Sequence, residues 1–155
     1  LMSKPGEAFK ICSSLSEKIK KEFKEFDLIL SPAMGGIIVG YEIGRILNKE
    51  TIFCERVKGK FTLRRGFKIK KGNKVIIIED VITTGKSSLE CARLVNKFKG
   101  KILGYACIID RSSNNLKIKK KIVSQVKLSI PTFNKNNIPK SLLKIKATKP
   151  GSRGI

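Results

Sequence analysis

The sequence predicts an α/β fold: a doubly wound, mainly parallel sheet with helices on both faces. Short apolar β-forming runs alternate with helical patterns along the chain, which implies a parallel sheet covered on both sides. Gly36, Gly40 and Gly44 also recur at four-residue spacing, as close packing of a helix on a sheet requires. The 155 residues suffice for one domain with a real core and are too few for two, so residues 1–155 read as a single domain.

The elements follow in order. Glu7–Phe26 carries Phe9, Cys12, Leu15, Ile19, Phe23 and Phe26 along one helical face. Asp27–Leu30 is a short apolar strand stopped by Ser31-Pro32. Ala33-Met34-Gly35-Gly36 then makes a turn into a helix over Ile37–Leu47. Thr51–Cys54 is a second strand, and Glu55–Phe67 is a charged, glycine-containing loop or hairpin. Lys74–Ile78 is a strand and Lys86–Phe98 its helix; Ile102–Ile109 is a strand whose end delivers Asp110 and Arg111. A basic loop over Ser112–Lys121 precedes a last strand near Val123–Ser129. From Asn134 the chain is irregular, with a helical turn around Ser141–Leu143.

Composition narrows the chemistry. There is no histidine, which removes histidine general bases and the usual zinc hydrolase sites. Cys12, Cys54, Cys91 and Cys107 are scattered through apolar patterns without a C-x-x-C pair, as buried free thiols are. The net charge of +22, from 34 basic and 12 acidic residues, implies non-specific nucleic-acid binding at low salt. The excess is mostly lysine spread along the chain, and aromatics make up only 6%, leaving few platforms for base stacking. The same field draws in polyanionic substrates. No apolar run reaches membrane-spanning length and no signal pattern opens the chain, so the expectation is a soluble, cytoplasmic protein with no membrane partner.

The most informative stretch is Val75–Ser88, VIIIEDVITTGKSS. An apolar strand ends in the adjacent carboxylates Glu79 and Asp80, and a Thr-Thr-Gly turn opens a helix. Carboxylates can accept hydrogen bonds from ribose hydroxyls, while loop N–H groups and a helix N-terminus hold a phosphate. A P-loop is excluded because its first glycine would fall on Asp80. No G-x-G-x-x-G follows a predicted strand, which removes the dinucleotide fingerprint. The plain structural alternative is a strand–turn–helix corner with its N-cap at Thr83 or Thr84. Polar segments begin at four predicted strand ends, Ser31–Gly36, Glu55–Arg65, Glu79–Ser88 and Asp110–Ser112, so all of them gather on one rim.

This stretch resembles the phosphoribosyl pyrophosphate (PRPP) signature of the type I phosphoribosyltransferases. Asp27–Arg45, Phe53–Phe67, Asp110-Arg111-Ser112 and the tail Lys149–Arg153 (KPGSR) are similar to the orotate phosphoribosyltransferases among them. The resemblance implies transfer of the phosphoribosyl group of PRPP to orotate, with Mg²⁺ brought in by PRPP and no protein metal site. It implies a PRPP site made of Ala33, Met34, Gly35 and Gly36 (pyrophosphate), Glu79 and Asp80 (ribose), and Val81, Ile82, Thr83, Thr84, Gly85, Lys86 and Ser87 (5′-phosphate loop). Thr83 and Arg111 fall on orotate-contacting positions, and Arg111 can meet the orotate carboxylate with paired hydrogen bonds. The alternative for Arg111 is a surface ion pair with Asp110.

Arg56, Lys58, Lys60, Arg64 and Arg65 occupy the segment matching the mobile catalytic loop, for which a solvated basic hairpin is the alternative. Many relatives have lysine where Gly35 stands and a longer loop with a histidine, neither of which is present. The resemblance also implies a homodimer, and a family N-terminal segment preceding the residue that is Leu1 here. Two competing readings are a purine or uracil salvage phosphoribosyltransferase and a non-catalytic PRPP-sensing regulator that binds nucleic acid.

Overall fold

The computed structural model describes residues 2–113, 116–131, 133 and 135–146. Its elements are α1 (Pro5–Glu22), β1 (Leu28–Pro32), α2 (Gly35–Leu47), β2 (Glu50–Val57), β3 (Lys60–Thr62), β4 (Lys74–Ile82), α3 (Lys86–Lys97), β5 (Lys101–Asp110) and β6 (Ile122–Lys127), followed by a 3-10 turn at Lys135–Asn137. The strands form one six-stranded sheet in the order β3-β2-β1-β4-β5-β6. Every neighbouring pair is parallel except β2–β3. The expected doubly wound, mainly parallel architecture is therefore the one observed.

The helices cover both faces. Against one face, α1 and α2 bury Cys12, Leu15, Ile19, Val39 and Ile43 over Ile29, Ile76 and Ile78. On the other, Cys91, Leu94 and Val95 of α3 pack on Leu30, Val75 and Ile77. Alternation over Val75–Ile78 of β4 thus sends Ile76 and Ile78 to α1 and α2 and Val75 and Ile77 to α3, the period of a strand.

α1 has proline in its first turn, Glu7 near its start and Lys20 and Lys21 in its last turn, complementing the helix dipole. It stops at Glu22, four residues short of the expected end at Phe26, because Phe23 is extended (φ −118°, ψ 90°). Phe23 and Phe26 remain buried; the Phe23 ring occupies the space a side chain at Gly104 of β5 would need. Sequence periodicity counted these two anchors as helix because their burial fits the same pattern.

The glycine stripe behaves as its spacing suggests. A Cβ at Gly36 would lie 3.1 Å from Ile78 O. One at Gly40 would collide with Ser31 Oγ, and one at Gly44 with Thr51 Oγ1. α2 ends at Asn48, held in the left-handed region (φ 50°), where asparagine is among the better tolerated residues.

The segment expected as a loop or hairpin is a hairpin. β2 continues beyond Cys54 to Val57 and pairs with β3 through Glu55↔Thr62, Arg56↔Phe61 and Val57↔Lys60. The two-residue turn Lys58-Gly59 has positive φ at both positions (48° and 77°), as such turns require. The helical turn near Ser141–Leu143 is also present: Leu142, Leu143 and Ile145 donate N–H bonds to residues three back.

At the opposite end of the sheet, Asp27 fastens the start of β4. Lys74 N–H donates to Asp27 Oδ2 at 2.7 Å, and Asp27 N–H donates to Lys74 O at 2.9 Å. The first of these bonds is the main cause holding the Asp27 carboxyl below its usual range. All four cysteines are buried free thiols. Burial, the larger cause in each case, pushes Cys12 up to about 11 and Cys107 up to about 12, values of unreactive thiols.

Two stability measurements test this packing. Helix propensity alone would have Gly44→Ala stabilise by about 1 kcal/mol. Contact with Thr51 Cβ (3.0 Å) and Lys49 O (3.2 Å) reverses the sign. The expected net loss is about 1–3 kcal/mol in urea unfolding. Asp27→Ala should destabilise the protein at neutral pH. A carboxyl lowered on folding contributes stability above its unfolded pKa of about 3.9 and loses it as pH falls through the folded value. The gap between native and variant unfolding midpoints should therefore shrink in acid below about pH 4.

Candidate active site at the strand ends

The strand order reverses between β1 and β4, where a doubly wound sheet opens a crevice at the carboxyl ends of its strands. β1 pairs with β4 only through Leu28↔Val75, Ile29↔Ile76 and Leu30↔Ile77, and ends at Pro32, which has no N–H to extend a ladder. β4 does not end at Ile78 as the sequence suggested. β5 carries it onward through Glu79↔Cys107, Val81↔Ile109 and Ile82↔Asp110. Glu79 and Asp80 therefore lie inside a strand whose other edge faces the crevice. Ala33–Gly36 turns beside that edge, with a cis peptide between Ala33 and Met34 and with Ala33 N–H bonded to Cys54 O at 2.8 Å.

Adjacent strand residues point to opposite faces, and this separates the two carboxylates. Glu79 is on the α3 side, only 8% exposed, and accepts a hydrogen bond from Ser88 Oγ at 2.7 Å. Asp80 is on the α2 side and half-buried; its Oδ1 accepts the Val81 N–H at 2.8 Å. Its other carboxylate oxygen fills the volume that a Cβ at Gly35 would take. Any side chain at that position would displace this Asp80 rotamer.

Beyond β4, Thr83 and Thr84 are exposed, and Gly85 is the residue that makes the turn. Gly85 is the helix N-cap, with φ 69°, so the cap expected at Thr83 or Thr84 falls one residue later. The Lys86 N–H still reaches Thr84 Oγ1, at a long 3.4 Å. Leu116 and Ile118 roof this turn: a Cβ on Gly85 would lie 2.9 Å from a methyl of each. None of the residues in the first turn of α3 is acidic; the carboxylate nearest it is Glu79 of β4, held by Ser88. Lys86 is exposed and Ser87 half-buried.

The orotate candidates come together at the next strand. Arg111 N–H donates to Ile82 O at 2.8 Å, which places Arg111 alongside the start of the Thr83 turn. Asp110 is 6% exposed and accepts the Ser112 N–H at 2.8 Å. Among the described residues Arg111 makes no ion pair with Asp110, and its side chain is exposed.

The hairpin sorts its five cations. Arg56 pairs with Glu90 of α3, stacks over Phe61 (4.2 Å) and donates to Gly59 O at 2.8 Å. Arg65 grips Glu55 with two bonds of 3.0 and 3.2 Å and lies over Phe53 (5.6 Å), whose ring meets Phe67 edge-on. Lys58, Lys60 and Arg64 are exposed and enter no ion pair among the described residues. These three remain available for a ligand without breaking an existing bond. The KPGSR tail lies outside the described residues.

Among the described residues, no cluster of three or more His, Cys, Asp or Glu side chains is placed to hold a metal ion. The split between Glu79 and Asp80 also prevents that pair from acting as one chelate. No local feature of the sequence pairs Glu79 with Ser88, although the two-residue period of a strand sends Glu79 and Asp80 to opposite faces. Nothing local in the sequence identifies Leu116 and Ile118 as the roof of Gly85.

The phosphoribosyl transferase domain family matches residues 4–144. The orotate phosphoribosyltransferase of Parvibaculum lavamentivorans is 43% identical over 152 residues, covering 97% of this chain and 78% of that protein. The chain belongs to the phosphoribosyltransferase family, in its orotate phosphoribosyltransferase group. A second member of the group, from Erythrobacter litoralis, is 40% identical over 154 residues, covering 99% of this chain and 80% of its own length. Across the wider family the fold persists at low identity. Saccharomyces cerevisiae adenine phosphoribosyltransferase, solved with an imino-altritol bisphosphate and adenine, gives a TM-score of 0.69 at 19% identity, over 80% of this chain and 81% of that one.

Proposed function

We propose that this chain transfers the phosphoribosyl group of PRPP to orotate, forming orotidine 5′-monophosphate and pyrophosphate in pyrimidine nucleotide biosynthesis. The observation that carries the reading is the meeting, at one switch point, of an anion-ready helix start, a half-buried carboxylate and an exposed arginine. The α3 N-terminus with Thr83–Ser87 suits the 5′-phosphate. Ala33–Gly36, opening α2, suits the pyrophosphate, and Asp80 between them suits the ribose hydroxyls.

In the reaction, an orotate ring nitrogen forms a bond to the anomeric carbon as that carbon's bond to the pyrophosphate oxygen breaks, and the nitrogen's proton ends on the released pyrophosphate. Positive charge develops on the ribose ring and negative charge on the leaving group. A fixed carboxylate at Asp80 stabilises the first. Lys58, Lys60 and Arg64 are the hairpin cations suited to the second. Mg²⁺ would enter with the pyrophosphate oxygens, its preferred kind of ligand, and neutralise leaving-group charge. Arg111, exposed beside the Thr83 turn, is suited to a carboxylate-bearing base over a neutral purine or uracil.

A homodimer is the proposed assembly. Met34, Ile38 and Tyr41 expose 81%, 53% and 65% of their surfaces along one side of α2, next to the pyrophosphate turn, a patch suited to a second copy. The four free thiols suit a reducing compartment such as the cytoplasm. No described helix is long and apolar enough to cross a membrane. The +22 charge supports nucleic-acid binding that fades with salt.

With Mg²⁺ and PRPP, the chain should consume orotate, followed by its absorbance, and leave hypoxanthine and uracil unchanged. Consumption of a purine or uracil instead would overturn the orotate assignment. Asp80→Asn should lower turnover by about a hundredfold, the scale of losing one oriented electrostatic stabiliser, with little change in unfolding midpoint. Arg111→Ala should raise KM for orotate by about tenfold, as loss of a charged hydrogen bond does, and change KM for PRPP much less.

A further inference from the structure

Among the described residues, one ion pair ties the β2–β3 hairpin to a helix: Arg56 with Glu90 of α3. β2 sends Ile52 and Cys54 into the core beneath α3, and Arg56, two residues on, faces the same way. Cys54 meets Cys91 of α3 at a sulfur–sulfur distance of 3.4 Å, and Arg56 with Glu90 forms the next rung outward. The Arg56 guanidinium also donates to Gly59 O at 2.8 Å and stacks 4.2 Å over the Phe61 ring. It thus joins the turn, the return strand and α3 at one point. The Arg65–Glu55 pair, by contrast, closes within the hairpin segment and ties it only to itself.

Beyond the Arg56 joint a groove of about 360 Å³ opens, with Gly59, Lys60 and Phe61 on one side and Arg93, Leu94 and Lys97 on the other. Open space, not packing, lies between the hairpin tip and the helix there. The Glu90 side chain is only 16% exposed, so solvent screens its charge less than it screens a surface pair. Glu90 also stands on the helix whose start carries the phosphate-suited turn. Leu89 N–H, one residue before it, bonds back to Gly85 O at 2.9 Å.

We propose that Glu90 is a positioning residue acting through Arg56: it seats the β2–β3 hairpin on α3 and fixes where the tip cations Lys58 and Lys60 stand. The inference rests on the phosphoribosyl-transfer reading above and adds to it a residue that works at one remove from the substrate. One helix then sets both ends of the ligand. Its first turn takes the 5′-phosphate, and its second, through Glu90, holds the cations suited to the leaving pyrophosphate. With Glu90 in place the hairpin is ordered before the ligand arrives. Without it, pyrophosphate must supply the ordering, and its affinity falls. Ribose 5-phosphate lacks that group and does not draw on the hairpin.

The test uses the full chain as native protein, Glu90→Gln, Glu90→Ala, Arg56→Ala and the Glu90→Ala/Arg56→Ala pair. Inorganic pyrophosphate and ribose 5-phosphate, each with Mg²⁺, are titrated into all five by calorimetry, and orotate consumption gives kcat and KM. Glu90→Ala should weaken pyrophosphate by about tenfold, as losing a hydrogen bond to a charged group does, and leave ribose 5-phosphate within about twofold. Its kcat should fall while KM for orotate stays within about twofold, the pattern of a contact needed in the transition state. Glu90→Gln, which keeps the shape without the charge, should move each value the same way by less.

Adding Glu90→Ala to Arg56→Ala should cost nothing further, because Glu90 then has nothing to hold. Unchanged pyrophosphate affinity in Glu90→Ala, equal weakening of both ligands, or losses that multiply in the double variant would overturn the proposal. If the native chain binds neither ligand, the phosphoribosyl reading falls and takes this one with it. Native binding with Glu90→Ala unchanged sinks this one alone. Should Glu90→Ala fail to fold, Glu90→Gln decides: weaker pyrophosphate beside unchanged ribose 5-phosphate is the expected result, and no change in either contradicts it.

Discussion

The short pairing between β1 and β4 is the constraint on which the site depends. Three registered pairs join them before Pro32 ends β1, while β5 supports β4 for five residues beyond Ile77. A strand held on one edge and open on the other presents side chains and backbone to a crevice without losing its position. Had β1 continued, Glu79 and Asp80 would have been enclosed between two ladders, where uncompensated charge is costly. The proline, an ordinary strand terminator, leaves that edge open.

Packing transmits this arrangement outward. Glycines at 36, 40 and 44 let α2 descend onto β1 and β2, bringing the Ala33–Gly36 turn against the Ile78–Asp80 edge. On the other face α3 is set by Cys91, Leu94 and Val95, and its first turn carries Ser88 to Glu79. The two apolar cores therefore position two anion-suited helix starts, and a two-residue strand period assigns one carboxylate to each. The basic surface acts at longer range, raising the local concentration of polyanions without fixing any contact.

Much of this was legible in the sequence because local and global preferences agree. Alternating strand and helix patterns gave the parallel sheet, and the strand–acid–turn–helix stretch gave the location of the site. The errors have physical causes. Phe23 and Phe26 extend a helical period that the backbone abandons, since a buried aromatic on an irregular segment looks the same in sequence as one on a helix. β4 outlasted its apolar run because pairing with β5, a distant segment, decides where it ends. Arg56 and Arg65 could not be told from Lys58, Lys60 and Arg64 by composition. Only the fold brings Glu90 to the first, while Glu55 reaches the second across the β2–β3 hairpin.

The most direct measurement of the central claim is hydrogen exchange of the native chain with and without PRPP and Mg²⁺. Binding in the β1–β4 crevice predicts slowed exchange concentrated in Ala33–Gly36 and Thr83–Ser88, with the distal strand starts near Asp27 and Lys74 unchanged. Protection confined to the groove between the β2–β3 hairpin and α3, lined by Lys60, Arg93 and Lys97, would contradict it and move the anion site to the basic surface.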